Sequence, residues 1–214
     1  MRPRWRTLAA WKKRPVAVRT RGYETASTDD VALDAHVVSV GIWLFLAADA
    51  FYFAGWYFAF FYLRALNNNQ AWIIQGLTRP NRGYGLVVLL LVVLSAASYF
   101  VASRAAGARS IRWAVLAPVA LVLGLAACLF QGYEMWHLGF SLTQGGYPSV
   151  FSGLTGSWII HIAGAMVWLA GVVAQSRSGG DTVLRPDSAV SFSWILLFLA
   201  GMGVISFILL YLVA

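Results

Sequence analysis

Five long apolar runs, at 37–63, 86–103, 113–136, 150–174 and 190–213, alternate with short polar stretches along the chain. About 20 apolar residues are needed to cross a bilayer as helix. The runs are continuously apolar and do not alternate with period two, which predicts helices and not barrel strands. The expected fold is therefore an all-α integral membrane protein, a bundle of five transmembrane helices over 37–214. Ahead of it, 1–36 reads as a basic polar arm with Trp5 and Trp11, where Pro3 and Pro15 argue against one continuous helix. The link 102–112 is short, so the second and third spans should be antiparallel neighbours. No internal repeat is visible.

Composition agrees with the pattern. The chain of 214 residues is 60% hydrophobic and 11% charged, with mean hydropathy +0.70. Lipid must be the solvent for most of it. The first run starts too late and is too long for a cleaved leader, so it is expected to stay. The net charge of +8 raises nucleic acid as a partner, but the positions of the cations argue for a membrane. Eight of the sixteen Lys and Arg lie in the first 21 residues, and Arg104, Arg109, Arg112, Arg177 and Arg185 lie in links on the same side. The opposite links hold Arg64, Arg79 and Arg82, thirteen against three in all. The positive-inside rule then places the N-terminus in the cytoplasm and the C-terminus outside. The arm can touch anionic headgroups, and no nucleic-acid partner is expected. The single cysteine, Cys128, lies within the third run and reads as a small buried apolar residue.

Of eight acidic residues, only Asp49 and Glu134 fall inside spans. Asp49, in "LFLAADAFYF" (44–53), sits near the middle of the first span. An ionised aspartate there costs roughly 2.5–3.5 kcal/mol on a lone helix. It is expected to face protein or water, or to keep its proton. Two roles stay open, a proton-binding group and a neutral acid that packs helices together. Glu134 lies in "LFQGYEMWHLG" (129–139), where Gln131, Glu134 and His137 are three apart and share a helical face. Glu-x-x-His is also the repeat of di-iron bundles. One copy does not make such a site, so no metal is expected. Instead Tyr133 and Trp136 should anchor the interface while Glu134 bonds a neighbouring span. His36 and His137 lie at membrane edges. His161, deep in the fourth span, shows no histidine or methionine partner at its depth, so it reads as a hydrogen-bonded core residue and not a haem ligand. Thr155, Gly156, Ser157 and Gly164 suit close helix approach. No nucleophilic triad, phosphate loop or zinc pattern occurs. These residues describe a subunit better than a stand-alone enzyme.

Three blocks together resemble subunit III of the haem-copper terminal oxidases, the cytochrome c oxidase and quinol oxidase family, in its short five-helix form. "GIWLFLAADAFYFAGWYFAFFYL" (41–63) is similar to the helix where Gly-x-Trp-x-Phe, here with Trp43, leads to a buried acid, here Asp49. "LFQGYEMWHL" (129–138) resembles the Gln-x-x-Glu-aromatic block, and "GLTGSWIIHIAG" (153–164) the Thr-Gly-x-His-Gly-x-His helix, with His161 on its second histidine. The blocks occur in order over about 37–214. The resemblance implies a non-redox subunit without catalytic or metal-binding residues of its own. It implies docking on oxidase subunit I, with subunit II and other subunits nearby and haem and copper held by those partners. It also implies bound phospholipid, support of proton uptake and of enzyme lifetime during oxygen reduction, and a bacterial-type cytoplasmic membrane. Asp49 and Glu134 become the proton-related candidates. Trp43, Gln131, His137, Trp158 and His161 become candidates for structural, subunit or lipid contact.

The chain departs from the family pattern in two places. The motif's first histidine is Trp158, followed by Ile159, and "SFSWILLFLAGMGVISF" (191–207) lacks the His and Asp that the family's last helix usually carries. The nearest rival reading is a subunit III-like accessory protein of nitric oxide reductase. Further off stand a proton-coupled transporter using Asp49 and Glu134, which the missing repeats disfavour, and an assembly scaffold.

Overall fold

Each apolar run forms a helix in the computed structural model, which describes residues 28–67, 72–106, 110–177 and 186–214. The helices are α1 (Thr28–Ala65), α2 (Arg82–Ser103), α3 (Ile111–Trp136), α4 (Gly146–Arg177) and α5 (Pro186–Phe207). A π-helical segment, Ile208–Val213, continues α5. All five are long and apolar enough to cross a membrane, over His36–Ala65, Arg82–Ser103, Ile111–Trp136, Gly146–Arg177 and Ala189–Val213. No strand occurs among the described residues. The chain divides into two units, 1–34 and 35–214. The first is described only over the opening turns of α1, and the basic arm, with Trp5 and Trp11, lies outside the described residues through residue 27.

Local chemistry sets the helix ends. Asn81 caps α2 by accepting from Gly83 N–H at 2.8 Å, and Ser110 caps α3 by accepting from Arg112 N–H at 3.2 Å. Pro186 opens α5, where its missing N–H costs nothing. Gly145 precedes α4 with φ +124°, which an L side chain rarely adopts.

α2 and α3 form the tightest pair. Their contacts, Ser95 Oγ–H to Ala120 O at 2.7 Å, Tyr99 on Trp113 and Tyr84 on Tyr133, run in opposite sequence directions, so the pair is antiparallel as the short link predicts. Small residues are buried on both helices, Ala117, Ala120 and Ala127 of α3 and Ser95, Ala96 and Ala102 of α2, while Gly124 of α3 makes room for the Met166 side chain of α4. Without water to drive association in lipid, close backbone approach of this kind holds helices together. The close approach that the sequence suggests for α4 is not found at Gly164, where a Cβ would meet open space.

α1 is attached differently. It shares little close backbone contact with the other helices, and large side chains bridge it to them. Tyr57 O–H donates to Met202 O at 3.1 Å, the Phe53 ring meets Phe198 at 6.2 Å, and Trp56 seats over Gly153. Phe60 packs edge-on against Trp72 at 5.2 Å. Spacing by aromatic rings leaves an apolar cleft between α1, α4 and α5.

Glycines also seat rings on the α4–α5 side. The buried Trp158 indole lies over Gly203, and a Cβ there would overlap the ring. Gly203→Val is expected to destabilise the chain by about 1–3 kcal/mol through overpacking. Gly201→Val, which enters open space, should change stability by less than about 0.5 kcal/mol. Thermal unfolding of both variants in one detergent checks this.

Candidate functional site

The cleft has a volume of about 570 Å³. Val38, Ile42, Phe45 and Asp49 line it from α1, a stripe at helical spacing. α4 contributes His161, Gly164 and Trp168, and α5 contributes Phe192, Ile195 and Leu199. The missing side chain at Gly164 is part of what opens it.

The polar groups of the cleft meet in one place. Asp49 Oδ1 lies 3.1 Å from His161 Nε2, joining α1 to α4. His161 Nδ1 lies 2.7 Å from the carbonyl oxygen of Ser157. Tyr52 O–H donates to Ser157 Oγ at 2.8 Å. The Tyr52 and Phe53 rings each lie 5.4 Å from the imidazole. Asp49, Tyr52 and Phe53 follow the i, i+3, i+4 pattern, so one face of α1 clasps the histidine.

This geometry fixes the proton count. A carbonyl oxygen only accepts, so Nδ1 carries hydrogen and donates to Ser157 O. A hydrogen bond between Nε2 and Asp49 Oδ1 then needs one proton between them. That proton sits on nitrogen as an imidazolium–carboxylate pair or on oxygen as a carboxylic acid against neutral imidazole. In both forms the pair is net neutral, which removes most of the penalty that an isolated aspartate meets in lipid. Asp49 is 7% exposed, and its Oδ2 has no hydrogen-bond partner. The partner that His161 lacks in the sequence is thus a carboxyl on another helix and not a second histidine or methionine.

A second carboxyl is held near the other end of the bundle. Glu134 Oε2 accepts from Gln131 Nε2 at 2.9 Å and from Tyr211 O–H at 2.8 Å. Glu134 therefore bonds a neighbouring span, as the sequence predicts, through a residue the sequence did not single out. Gly85 makes room for the Tyr211 ring. Tyr147 O–H donates to Leu210 O at 2.9 Å, within the π-helical segment that carries Tyr211. His137 does not join this cluster. It is exposed, with Nδ1 2.9 Å from Tyr133 O and its ring 4.1 Å from the Tyr133 ring. Gln131 and Glu134 are buried and bonded to each other, while His137 follows the last residue of α3, Trp136, and is exposed.

The remaining candidates are structural in their contacts. Trp158 is buried and its Nε1–H donates to Leu199 O at 2.8 Å. Trp43 is exposed and rests against Trp194 with ring centroids 6.2 Å apart. No group of three or more His, Cys, Asp and Glu that could hold a metal occurs among the described residues.

Removing the half-buried partner of the buried Asp49 is predicted to cost more than neutralising the acid. His161→Leu should destabilise by about 3–5 kcal/mol because Asp49 is left unpaired. Asp49→Asn keeps a donor for Nε2 and should cost only about 1 kcal/mol. Detergent unfolding curves of the two variants give the comparison. Tyr211→Phe, which strips one donor from Glu134, should fall between them at about 1–3 kcal/mol.

No family model matches the chain. Among known proteins it is similar to a cytochrome c oxidase subunit 3 from Corynebacterium diphtheriae, 30% identical over 152 residues, which is 67% of this chain and 72% of that protein. It is also similar to a probable cytochrome c oxidase subunit 3 from Mycobacterium leprae, 28% identical over 168 residues, 74% of this chain and 80% of the relative. A third, from Nocardia farcinica and also named a probable cytochrome c oxidase subunit 3, is 28% identical over 170 residues, 74% of this chain and 80% of its own length.

Proposed function

The chain belongs to the cytochrome c oxidase subunit III family, and from that membership we propose that it is the non-redox third subunit of a haem-copper terminal oxidase in aerobic respiration. The observation that carries the reading beyond membership is the Asp49–His161 pair at 3.1 Å. It joins the first and third of the sequence blocks that resemble the family. Oxygen reduction then belongs to partner subunits that hold haem and copper. The main partner is subunit I, with subunit II and other subunits beside it.

In this reading the chain contributes support and not electron transfer. The neutral pair ties α1 to α4 and carries one proton at the wall of the cleft. The cleft, with Phe45, Trp168 and Phe192 among its walls, suits phospholipid acyl chains. Lipid held there would brace α1, which lacks close backbone packing of its own. Such bracing supports proton uptake and the lifetime of the catalytic subunit during turnover. The excess of Lys and Arg at the N-terminus and in two links, thirteen against three, favours an N-terminus in the cytoplasm and a C-terminus outside. The host membrane is then a bacterial-type cytoplasmic membrane.

Purification of the native assembly in gentle detergent tests the assignment. Haem and copper subunits should travel with this chain, and the assembly should reduce oxygen. A colourless chain with transport activity of its own overturns the reading, and an assembly that reduces nitric oxide in place of oxygen selects the reductase alternative. The supporting role of Asp49 has its own test. In the assembled oxidase Asp49→Asn should leave the initial oxygen-reduction rate within about twofold and shorten the active lifetime. Immediate loss of oxygen reduction, with assembly intact, would make Asp49 a direct proton carrier.

A further inference from the structure

Gln131 of α3, Thr155 of α4 and Ser206 of α5 interrupt apolar runs. All three are buried, at 2%, 4% and 6% exposed. In a membrane interior such polar atoms need partners inside the protein. The three line one small cavity of about 20 Å³, apart from the cleft. No direct side-chain hydrogen bond joins them to one another among the described residues.

Aromatic rings wall the same cavity. Tyr211 closes over Gly85 and Trp158 over Gly203, and all four residues line it. The donors of both rings are engaged elsewhere, Tyr211 O–H with Glu134 Oε2 at 2.8 Å and Trp158 Nε1–H with Leu199 O at 2.8 Å. The rings therefore shape the cavity and supply no donor to it.

The polar capacity left for the cavity can be counted. Gln131 Nε2 donates to Glu134 Oε2 at 2.9 Å, which leaves the Gln131 carbonyl oxygen, Oε1, as an acceptor. Thr155 makes no side-chain hydrogen bond among the described residues, which leaves its O–H to give. Tyr57 O–H donates to Met202 O at 3.1 Å. With that one hydrogen engaged, the Tyr57 oxygen accepts from Ser206 Oγ–H at 3.3 Å. Ser206 Oγ then keeps lone pairs and has no hydrogen left. Two acceptors and one donor remain. A molecule with two hydrogens to give and a lone pair to receive one matches that set. The cavity is large enough for one water molecule and for little else. Its lining holds no charged side chain, so an ion there would stand unpaired in a low-dielectric interior.

We propose that this cavity is a structural water site. One water donates to Gln131 Oε1 and to Ser206 Oγ and accepts from Thr155 Oγ1–H. Three hydrogen bonds are typical of a buried water. The water completes a run of hydrogen bonds from Tyr57 on α1, through Ser206 on α5 and Gln131 on α3, to Glu134 and Tyr211, and Thr155 ties α4 to it. α1 thereby gains a polar link to the Glu134 cluster that is separate from the Asp49–His161 contact. The inference rests on the interior of the bundle and stands whether or not the chain assembles with an oxidase.

Thermal unfolding of the full chain in one detergent gives the first test, and its sign decides. If water fills the site, Thr155→Val removes the donor and leaves the water one bond short. The unfolding midpoint should then fall by about 2–4 °C. Thr155→Ser keeps the hydroxyl and should fall by less than half as much. If the cavity is dry, the Thr155 hydroxyl is an unmet polar group, and valine of the same shape should leave the midpoint unchanged or raise it. That result overturns the proposal, and so does a serine variant that falls as far as valine. The second test is a cryo-EM map of the native assembly, at a resolution that shows its other buried waters. One density peak within hydrogen-bond distance of Gln131 Oε1, Thr155 Oγ1 and Ser206 Oγ is expected. An empty cavity in that map overturns the site, and the map alone decides if Thr155→Val does not fold.

Discussion

Asp49 Oδ1 and His161 Nε2 meet at 3.1 Å across two helices, and this contact helps to set the position of α1. The other helices pack backbone to backbone or through small residues, which lipid permits without any hydrophobic drive. α1 stands off from them behind a layer of aromatic rings. Rings set a distance but slide and rotate easily. A hydrogen bond of 3.1 Å from α1 to α4, with Tyr52 to Ser157 at 2.8 Å one turn further on, fixes both height and rotation. The cleft keeps its shape because those two contacts hold its walls at a fixed register. The proton makes this tolerable: a pair that is neutral in either form avoids the charge that lipid would penalise.

The two buried carboxyls follow the same logic at different depths. Each spends one oxygen on a neighbouring helix and leaves the other oxygen without a protein partner. Each lines a cavity, Asp49 the cleft and Glu134 a smaller space at the end of α3. The Glu134 contact rests on a local departure from α-helix. In a π-helical stretch the carbonyls are not all met by the usual N–H partners. Leu210 O accepts from Tyr147 there while the adjacent Tyr211 reaches Glu134. Gly85, by having no side chain, lets the Tyr211 ring lie close to α2.

The spans were legible because each is a run of apolar residues, and hydropathy is a local property. The antiparallel α2–α3 pair was legible from a short link for the same reason. Asp49 and Glu134 stood out as costs, but their partners did not, since a cost identifies one residue and a contact needs two. His161 is far from Asp49 in sequence, and no periodicity links them. Tyr211 lies in an apolar run where an aromatic is unremarked, and the π-helical turn that aims it has no composition of its own. His137 lines one cavity with Glu134, in keeping with their spacing of three, but bonds only the backbone of its own turn. The resemblance marked Asp49 and His161 separately as family positions without saying that they touch.

The departures from the family pattern become intelligible when the contacts of Trp158 are considered. In the resemblance, position 158 is a histidine and the last helix carries His and Asp. Here the side chain at 158 is a buried indole whose Nε1–H donates to Leu199 O, and its ring lies over Gly203 on that same last helix. An indole has one donor and needs one acceptor, which the α5 backbone supplies. A histidine at this place would keep a second nitrogen to satisfy, and polar residues on α5 would need partners in turn. Exchanging one polar side alone would leave orphaned groups in a membrane interior, each costing several kcal/mol. Changing both sides removes the network as a unit and replaces it with a ring, a glycine and one hydrogen bond. The Asp49–His161 pair, with His161 three residues further along α4 than Trp158, keeps its polar character through the contact between its two members.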